Sequence, residues 1–126
     1  GICLGLQLLF EDSDEGEGAK GLGVLKGTVT RFALNGTLKV PHMGWNQVSR
    51  RRDDCPLLQR MPEGSFVYFV HSYYARPQEA SVVTLETDYG GQFVSMVWRD
   101  NVYATQFHPE KSQAVGLALL EQFINL

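Results

Sequence analysis

Several features that define specialised protein classes are missing from this chain of 126 residues. It has only two cysteines, Cys3 and Cys55, and neither belongs to a C-x-x-C pair. That spacing argues against a disulfide framework and against a structural zinc site. No stretch approaches the roughly 18 apolar residues that a membrane helix requires. We therefore predict a protein of the reducing cytoplasm that has no metal site and does not contact a membrane.

An excess of positive charge is also missing. The formal net charge is -3, which argues against nucleic acid or an anionic membrane as the main partner, because both attract basic surfaces. The one basic cluster, Arg50-Arg51-Arg52, is followed at once by Asp53-Asp54. This cluster is interpreted as a solvated loop, and contact with a phosphorylated ligand or an acidic partner is the alternative.

The pattern of apolar and turn residues predicts one α/β domain over residues 1–126. Its first half is predicted to contain a helix (4–10), a strand (24–32), a hairpin turn at Asn35-Gly36, a loop (41–48) and a short helix opened by Pro56.

The second half of the chain is richer in strand signals. The run "FVYFVHSYY", residues 66–74, is predicted to be one strand buried on both faces. Three later strands, separated by Gly90-Gly91 and by Asp100-Asn101, predict an antiparallel meander. Residues 112–126 predict a helix in which Ser112 is the N-cap and Val115, Leu119, Phe123 and Leu126 share one face.

The first candidate for chemistry is the opening segment Gly1-Ile2-Cys3-Leu4-Gly5. It matches the nucleophile-elbow pattern, with Cys in place of Ser, in which a strained turn exposes the nucleophile between small residues. A helix that begins there favours the thiolate of Cys3, and the N–H of Leu4 points to where an oxyanion would form. The alternative is a buried small residue in a glycine-rich turn.

A cysteine nucleophile needs a base and a group that orients the base. In the segment "QFHPEK", Pro109 favours an extended conformation at His108, so that His108 and Glu110 project to the same side. This arrangement would complete a triad of Cys3, His108 and Glu110. The alternative for His108 is a surface histidine beside a proline. His71 could instead be a core or rim histidine, and His42 is the weakest candidate base.

The stretches "GICLGLQLL" and "ATQFHPEKS" together resemble the class I (triad) glutamine amidotransferases over essentially the whole chain. The resemblance implies a flavodoxin-like three-layer α/β sandwich, of which this chain would be only the C-terminal portion, starting at the elbow. It gives the roles of nucleophile, base and orienter to Cys3, His108 and Glu110. Because the family has earlier strands and a loop with a second oxyanion donor, we expect little glutaminase activity from this chain alone.

The same resemblance implies L-glutamine as the substrate and no cofactor. Gly5 and Gln7, together with groups around His71, Ser72 and Tyr73, would hold that substrate. Gln7 also lies one helical turn beyond Cys3 and on the same side. The alternative for Gln7 is an exposed polar residue of the helix.

Three motifs narrow the resemblance within the family: "PHMGWN", "YFVHSYY" and "EKSQ". They are similar to glutaminase subunits of histidine biosynthesis, which pass ammonia to a (β/α)₈-barrel cyclase subunit. The resemblance implies that a set of side chains faces that partner, and large aromatic residues are typical of interfaces. The set is Met43, Trp45, Asn46, Tyr68 and Lys111. The alternative for the aromatic members is a small local core.

Two other functions remain open on the sequence. One is a different glutamine amidotransferase, which would serve guanylate, anthranilate or carbamoyl phosphate synthesis. The other is a non-catalytic fragment or docking module.

Overall fold

The computed structural model describes residues 1–126, which form a mixed α/β structure with ten short strands and two α-helices. The helices are α1 (Leu4–Gln7) and α2 (Gln113–Ile124). The strands are β1 (Asp12–Ser13), β2 (Ala19–Lys20), β3 (Gly27–Arg31), β4 (His42–Gln47), β5 (Ser49–Arg50), β6 (Phe66–His71), β7 (Tyr73–Pro77), β8 (Val83–Asp88), β9 (Gln92–Arg99) and β10 (Val102–Thr105). Three 3₁₀ turns span Pro56–Leu58, Ala80–Val82 and Pro109–Lys111. Neither helix has the length and apolar character that crossing a membrane requires.

The strands pair into three sheets. Two have four strands, in the orders β2-β1-β3-β7 and β10-β9-β8-β5, and the third pairs β4 with β6. The prediction of an antiparallel meander is confirmed by β8, β9 and β10. Its two tight turns use positive φ values at Gly90 (72°) and at Asp100 (53°), which glycine and aspartate adopt more easily than bulky residues do.

The "PHMGWN" segment is a strand, so the prediction of a loop over residues 41–48 is wrong. β4 runs antiparallel to β6, with Trp45 opposite Tyr68. Its side chains alternate: His42 is buried, whereas Met43 and Trp45 are exposed. The large side chains of the segment therefore occupy opposite faces of an edge strand, an arrangement that depends on pairing with a strand far along the chain.

Long-range pairing also overturns two other local predictions. The hairpin predicted at Asn35-Gly36 does not form, because β3 pairs with β7 instead of with a strand that follows it directly. The single strand predicted over residues 66–74 is divided at Ser72 into β6 and β7, which belong to different sheets. Burial along β6 alternates and is not continuous.

The two helices differ from their predictions in length and packing. α1 ends at Gln7, so the helix predicted over residues 4–10 is shorter and continues as turns. In α2 only Leu119 of the predicted face is fully buried, and Phe123 is 51% exposed. Ser112 occupies the N-cap position but makes no capping bond. Its Oγ donates to the carbonyl of His108 and accepts from the N–H of Tyr68.

The core contains two apolar clusters. The larger one includes a set of aromatic rings around the buried His42 and His71, with Phe32, Phe69 and Phe93 among its members. The smaller one lies beneath α1 and contains Leu6, Phe10 and Val97. Together they hold the ends of β6, β7 and β10 next to the elbow.

Candidate functional site

The elbow places Cys3 at the apex of a strained turn. Cys3 has φ 54° and ψ -106°, a region that a residue with a side chain occupies only when its surroundings impose it. The surroundings here are hydrogen bonds to β10: the N–H of Cys3 donates to the Thr105 carbonyl over 2.7 Å, and Thr105 N–H donates to the Gly1 carbonyl. Ile2 also forms a parallel bridge with Thr105.

Only one of the two elbow glycines meets a steric limit. A Cβ on Gly1 would lie 2.7 Å from the carbonyl carbon of Gly5, so the chain does nearly touch itself there. A Cβ on Gly5 would meet no atom within 4 Å. The expectation that both positions must be small for the turn to close is therefore wrong for Gly5.

The thiol of Cys3 lies among three polar groups. Its Sγ is 3.9 Å from the carbonyl oxygen of Val70 and 3.6 Å from Nε2 of Gln106. The Leu4 N–H donates to no carbonyl and acts on the sulfur. Burial raises the pKa of the Cys3 thiol, while the Leu4 N–H and the Gln106 amide oppose that rise. The thiolate that the helix was expected to favour is thus disfavoured at rest, because a helix of four residues has little dipole to set against desolvation.

Cys3 opens into a cleft that is itself open to solvent. Most of its lining residues are those that the sequence associates with catalysis or substrate, but two charged residues that the sequence did not single out line it as well, Glu15 and Arg31. Gly5 does not line the cleft. The lining residues are Cys3, Leu4, Gln7, Glu15, Arg31, Val70, His71, Ser72 and Tyr73.

The predicted base and orienter contact each other. Nδ1 of His108 lies 3.1 Å from Oε2 of Glu110. His108 is extended, with φ -99° and ψ 99°, but the next residues form a 3₁₀ turn and not the extended segment expected. That turn brings the Glu110 carboxylate back to the ring. The second ring nitrogen, Nε2, makes no bond to Glu110 and is therefore available to exchange a proton with another group.

The structure does not join His108 directly to Cys3. No hydrogen bond links the ring to Sγ, and neither His108 nor Glu110 lines the cleft. The charges of the two groups nevertheless act on the site: Glu110 contributes to raising the pKa of Cys3, and His108 contributes to lowering that of His71. The His108 backbone is tied to β6 by its N–H, which donates to the Tyr68 carbonyl over 3.0 Å.

Gln7 is a bridging residue and not an exposed helix residue. Its Nε2 donates to the carbonyl of Tyr73 and to Oε1 of Gln106, each over 3.2 Å. It therefore connects α1 to β7 and to the segment after β10. The sequence did not identify Gln106 as a site residue. It lies two residues before His108, and in an extended segment residues two apart point to the same side, so this spacing was a usable signal.

His42 and His71 form a buried pair with a defined direction of hydrogen bonding. Nδ1 of His71 lies 2.8 Å from the Tyr73 carbonyl, which can only accept, so this nitrogen carries the proton. Nε2 of His71 must then accept from Nδ1 of His42, at 2.9 Å. Nε2 of His42 is left to accept from Nδ2 of Asn46, at 3.2 Å.

Burial lowers the pKa of both histidines to about 4, which fits a pair of neutral rings. His71 thus serves to hold the Tyr73 carbonyl at the cleft. His42, the weakest candidate base on the sequence, does not line the cleft and lies in the aromatic core, where it stacks against Phe69 and Tyr89.

The residues expected at a partner surface do not all share one face: Met43 and Trp45 lie on one face of β4 and Asn46 on the other. Met43 and Trp45 are exposed by 63% and 48%, and the rings of Trp45 and Tyr68 pack at 5.9 Å. Lys111 is exposed in the turn that follows His108. Asn46 lies on the other face, where its amide donates to His42 and to the Asp88 carbonyl. The structure therefore separates Asn46 from the exposed group.

No group of three or more His, Cys, Asp or Glu side chains is arranged to hold a metal ion. Cys3 and Cys55 are both free thiols, and Cys55 is buried in the core.

Comparison with known proteins gives consistent matches. The sequence profile of the class-I glutamine amidotransferase family matches residues 1–126. Among curated relatives, the protein named imidazole glycerol phosphate synthase subunit HisH of Syntrophotalea carbinolica is 55% identical over 128 residues, which cover 98% of this chain and 62% of the relative. The proteins of the same name from Methanocaldococcus jannaschii and Thermococcus kodakarensis are 51% and 55% identical over 100% of this chain, with 62% and 65% of each relative covered.

The chain thus spans about three fifths of the length of these curated relatives. Among solved structures, a protein of Thermoplasma acidophilum whose description names it as part of GMP synthase matches with a TM-score of 0.61 and 21% identity, over 79% of this chain and 47% of that one. At this identity the likeness concerns the fold alone, and it confirms the predicted fold of the class I type.

Proposed function

Because this chain belongs to the class-I glutamine amidotransferase family, we propose that it provides the nucleophile and the acid–base pair for hydrolysis of L-glutamine to glutamate and ammonia. The observation that most supports this proposal is the strained elbow, which presents the thiol of Cys3 to an open cleft. A thiol held in this way is typical of nucleophilic cysteines.

In the proposed first half-reaction, His108 takes the proton of Cys3 as Sγ attacks the side-chain carboxamide carbon of glutamine. Negative charge develops on the carboxamide oxygen, and the proposed donor to it is the N–H of Leu4, which makes no hydrogen bond to a carbonyl. The carbon–nitrogen bond then breaks, the departing nitrogen takes the proton from His108, and ammonia leaves. A γ-glutamyl thioester remains on Cys3.

The second half-reaction returns the site to its starting state. His108 removes a proton from water, and the resulting hydroxide attacks the thioester carbon. The carbon–sulfur bond breaks, glutamate leaves, and the proton returns to the sulfur. Throughout, the carboxylate of Glu110 holds the proton on Nδ1 of His108, so that Nε2 performs both transfers.

The charges of the cleft suit a free amino acid. Glu15 and Arg31 are its two charged lining residues, and L-glutamine carries one ammonium and one carboxylate. We propose that these charges, with Gln7 and the backbone of Ser72 and Tyr73, hold the amino-acid end. Gly5 would contribute space instead of a contact.

We further propose that the ammonia passes to a separate (β/α)₈-barrel cyclase in histidine biosynthesis, in the cytoplasm, where the products are imidazole glycerol phosphate and an aminoimidazole carboxamide ribotide. The names of the relatives support this assignment. The proposed contact surface is the group of Met43, Trp45, Tyr68 and Lys111, of which Tyr68 is half-buried, and it adjoins the His108 turn through the Tyr68 backbone. The two free cysteines are compatible with a reducing compartment.

The test uses the natural full-length protein. Glutamate release is measured alone, with the barrel cyclase, and with the cyclase plus its phosphorylated nucleotide. We expect turnover to rise at each addition and to disappear in Cys3→Ser. Turnover that does not change when the cyclase is added would contradict the assignment to histidine biosynthesis. Turnover that persists in Cys3→Ser would contradict the assignment of Cys3 as the nucleophile. Cys55→Ala is the matched control and should retain turnover, because that thiol is buried away from the cleft.

A further inference from the structure

Gln106 is a fully buried polar residue beside the proposed nucleophile. Its side chain is 0% exposed, and its backbone N–H donates to the Ser95 carbonyl over 2.9 Å. It follows the last residue of β10 directly, and its amide lies between Cys3 and Gln7. Burying a primary amide costs free energy unless its hydrogen bonds are satisfied, so the partners of this one define its role.

The hydrogen bonds determine which end of the amide faces the sulfur. The Tyr73 carbonyl can only accept, so the atom of Gln7 that lies 3.2 Å from it is the nitrogen. That nitrogen also contacts the Gln106 amide, so the atom of Gln106 that faces it must be the oxygen. Nε2 of Gln106 is therefore the end that lies 3.6 Å from Sγ of Cys3.

The Tyr73 carbonyl that anchors this chain of bonds is itself held firmly. It accepts from Nδ1 of His71 over 2.8 Å as well as from Gln7, which uses both lone pairs of the oxygen. Neither Gln7 nor Gln106 can reverse its amide without placing two donors or two acceptors against each other. The donor that faces Cys3 is therefore preorganised.

A fixed N–H donor affects the thiolate more than the thiol. The neutral thiol can donate toward the Val70 carbonyl, 3.9 Å away, while it accepts from Gln106. When the proton leaves, the sulfur becomes a charged acceptor in partly desolvated surroundings, where a hydrogen bond is stronger. The Leu4 N–H also lowers the pKa of Cys3.

From this geometry we propose that Gln106 is a further catalytic residue, whose side-chain N–H stabilises the thiolate of Cys3 and, through Gln7 and the Tyr73 carbonyl, holds the sulfur in register with the substrate cleft. The inference rests on the proposed role of Cys3 as the nucleophile. It adds a donor that acts before and after the covalent intermediate, when the sulfur is charged, whereas the oxyanion donor acts on the substrate oxygen.

The test measures thiolate formation directly, in the natural full-length protein without glutamine. Alkylation of Cys3 by iodoacetamide is followed against pH by mass spectrometry of the Cys3 peptide. Gln106→Met keeps the volume but removes the donor, and Gln106→Glu places a carboxylate there. We expect about tenfold slower alkylation near pH 7 in the Met variant, a midpoint displaced upward by about one pH unit, and a larger displacement in the Glu variant. Gln92→Met, at an exposed glutamine, is the control and should leave the profile unchanged.

A second measurement needs no substitution at Gln106 and so does not depend on the variants folding. The side-chain amide signals of ¹⁵N-labelled glutamines are followed by NMR through the Cys3 titration. We expect the Gln106 Nε2–H signal to move with ionisation of Cys3 and to remain still in Cys3→Ser. The proposal would be overturned if folded Gln106 variants had unchanged alkylation profiles. It would also be overturned if the chemical shift of the Gln106 amide did not change during the Cys3 titration. Both readouts are independent of glutamine turnover, so they separate failure of this inference from failure of the proposed function.

Discussion

At the scale of the residue, the site is built from polar groups whose partners leave them one orientation each. The Tyr73 carbonyl accepts from Gln7 and from His71, and these two side chains then determine the orientation of Gln106 and His42. Such a set of bonds is stable only while every ring and amide keeps its neutral form. Acid therefore disrupts this set of hydrogen bonds mainly by protonating the two histidines.

We predict that the protein loses stability as the pH falls from about 6.5 to about 4. His42 and His71 have pKa values of about 4 in the folded protein because burial disfavours their charged forms. An unfolded histidine titrates near 6.5, so within this window the unfolded state binds protons that the folded state does not. Each such group lowers the free energy of unfolding by up to about 1.4 kcal/mol per pH unit.

Urea unfolding at a series of pH values between about 7.5 and about 4.5 measures this loss. In His42→Phe one of the two titrating groups is gone, and we expect a shallower decline relative to the stability of that variant at the highest pH. An identical slope in the variant and the natural protein would show that the buried pair is not the source of the acid sensitivity.

At the scale of the element, two close approaches of the backbone set the position of the catalytic groups. One is in the elbow, between Gly1 and Gly5, and the other is between α2 and the turn that holds Glu110. A Cβ on Gly116 would lie 2.0 Å from the Pro109 carbonyl oxygen and 2.7 Å from the Cβ of Ser112. Overlaps of this size force the backbone to move.

We predict that alanine destabilises the protein at one elbow glycine and is tolerated at the other. Gly1→Ala should lower the free energy of unfolding by about 1–3 kcal/mol, because its Cβ would overlap the Gly5 backbone. Gly5→Ala should change it by less than about 1 kcal/mol, because its Cβ meets open space in a helical position. Denaturant midpoints of the two variants make the comparison, and equal losses would contradict it.

A similar overlap predicts a kinetic effect at Gly116. Gly116→Ala should displace the Pro109–Lys111 turn, and with it the contact between His108 and Glu110, and lower kcat for glutamine by about 10- to 100-fold. Leu117→Ala, on the exposed side of the same helix, is the matched control and should keep the natural kcat. Steady-state glutaminase assays in the presence of the cyclase compare them, and a normal kcat in Gly116→Ala would show that the turn does not depend on this packing.

At the scale of the whole molecule, the proposed partner surface and the cleft are connected through one strand. β6 carries Tyr68 toward the exposed group and ends at His71, which holds the Tyr73 carbonyl at the cleft. The N–H of His108 also bonds to β6, at Tyr68. A partner that contacts Trp45 and Tyr68 would thus touch the strand that supports both parts of the site.

We predict that Trp45→Ala weakens binding of the barrel cyclase about 30-fold or more. Large aromatic residues at the centre of an interface commonly contribute about 2 kcal/mol or more, and Trp45 is half-exposed and packed on Tyr68. Titration calorimetry gives the dissociation constants. Trp45→Phe should recover part of the affinity, and Phe123→Ala, at an exposed aromatic residue of α2, should bind normally. Normal binding by Trp45→Ala would place the interface elsewhere.

The sequence alone determined the features that depend on neighbours a few residues apart. The meander follows from its turn residues, and the contact of His108 with Glu110 joins two side chains that are only two residues apart. The elbow pattern likewise placed Cys3 at its apex. Each of these patterns spans only a few residues, although hydrogen bonds to β10 impose the strained backbone of Cys3.

Only the tertiary structure decided which distant segments meet. The strand identity of "PHMGWN", the division of β6 from β7 at Ser72, and the inward side chain of Asn46 all depend on pairing across the chain. The bonds that place Gln106 against Cys3 join residues 103 positions apart. Local sequence patterns do not specify such contacts, because a short segment is compatible with several conformations. Burial and backbone pairing in the folded molecule then determine which of these conformations is adopted.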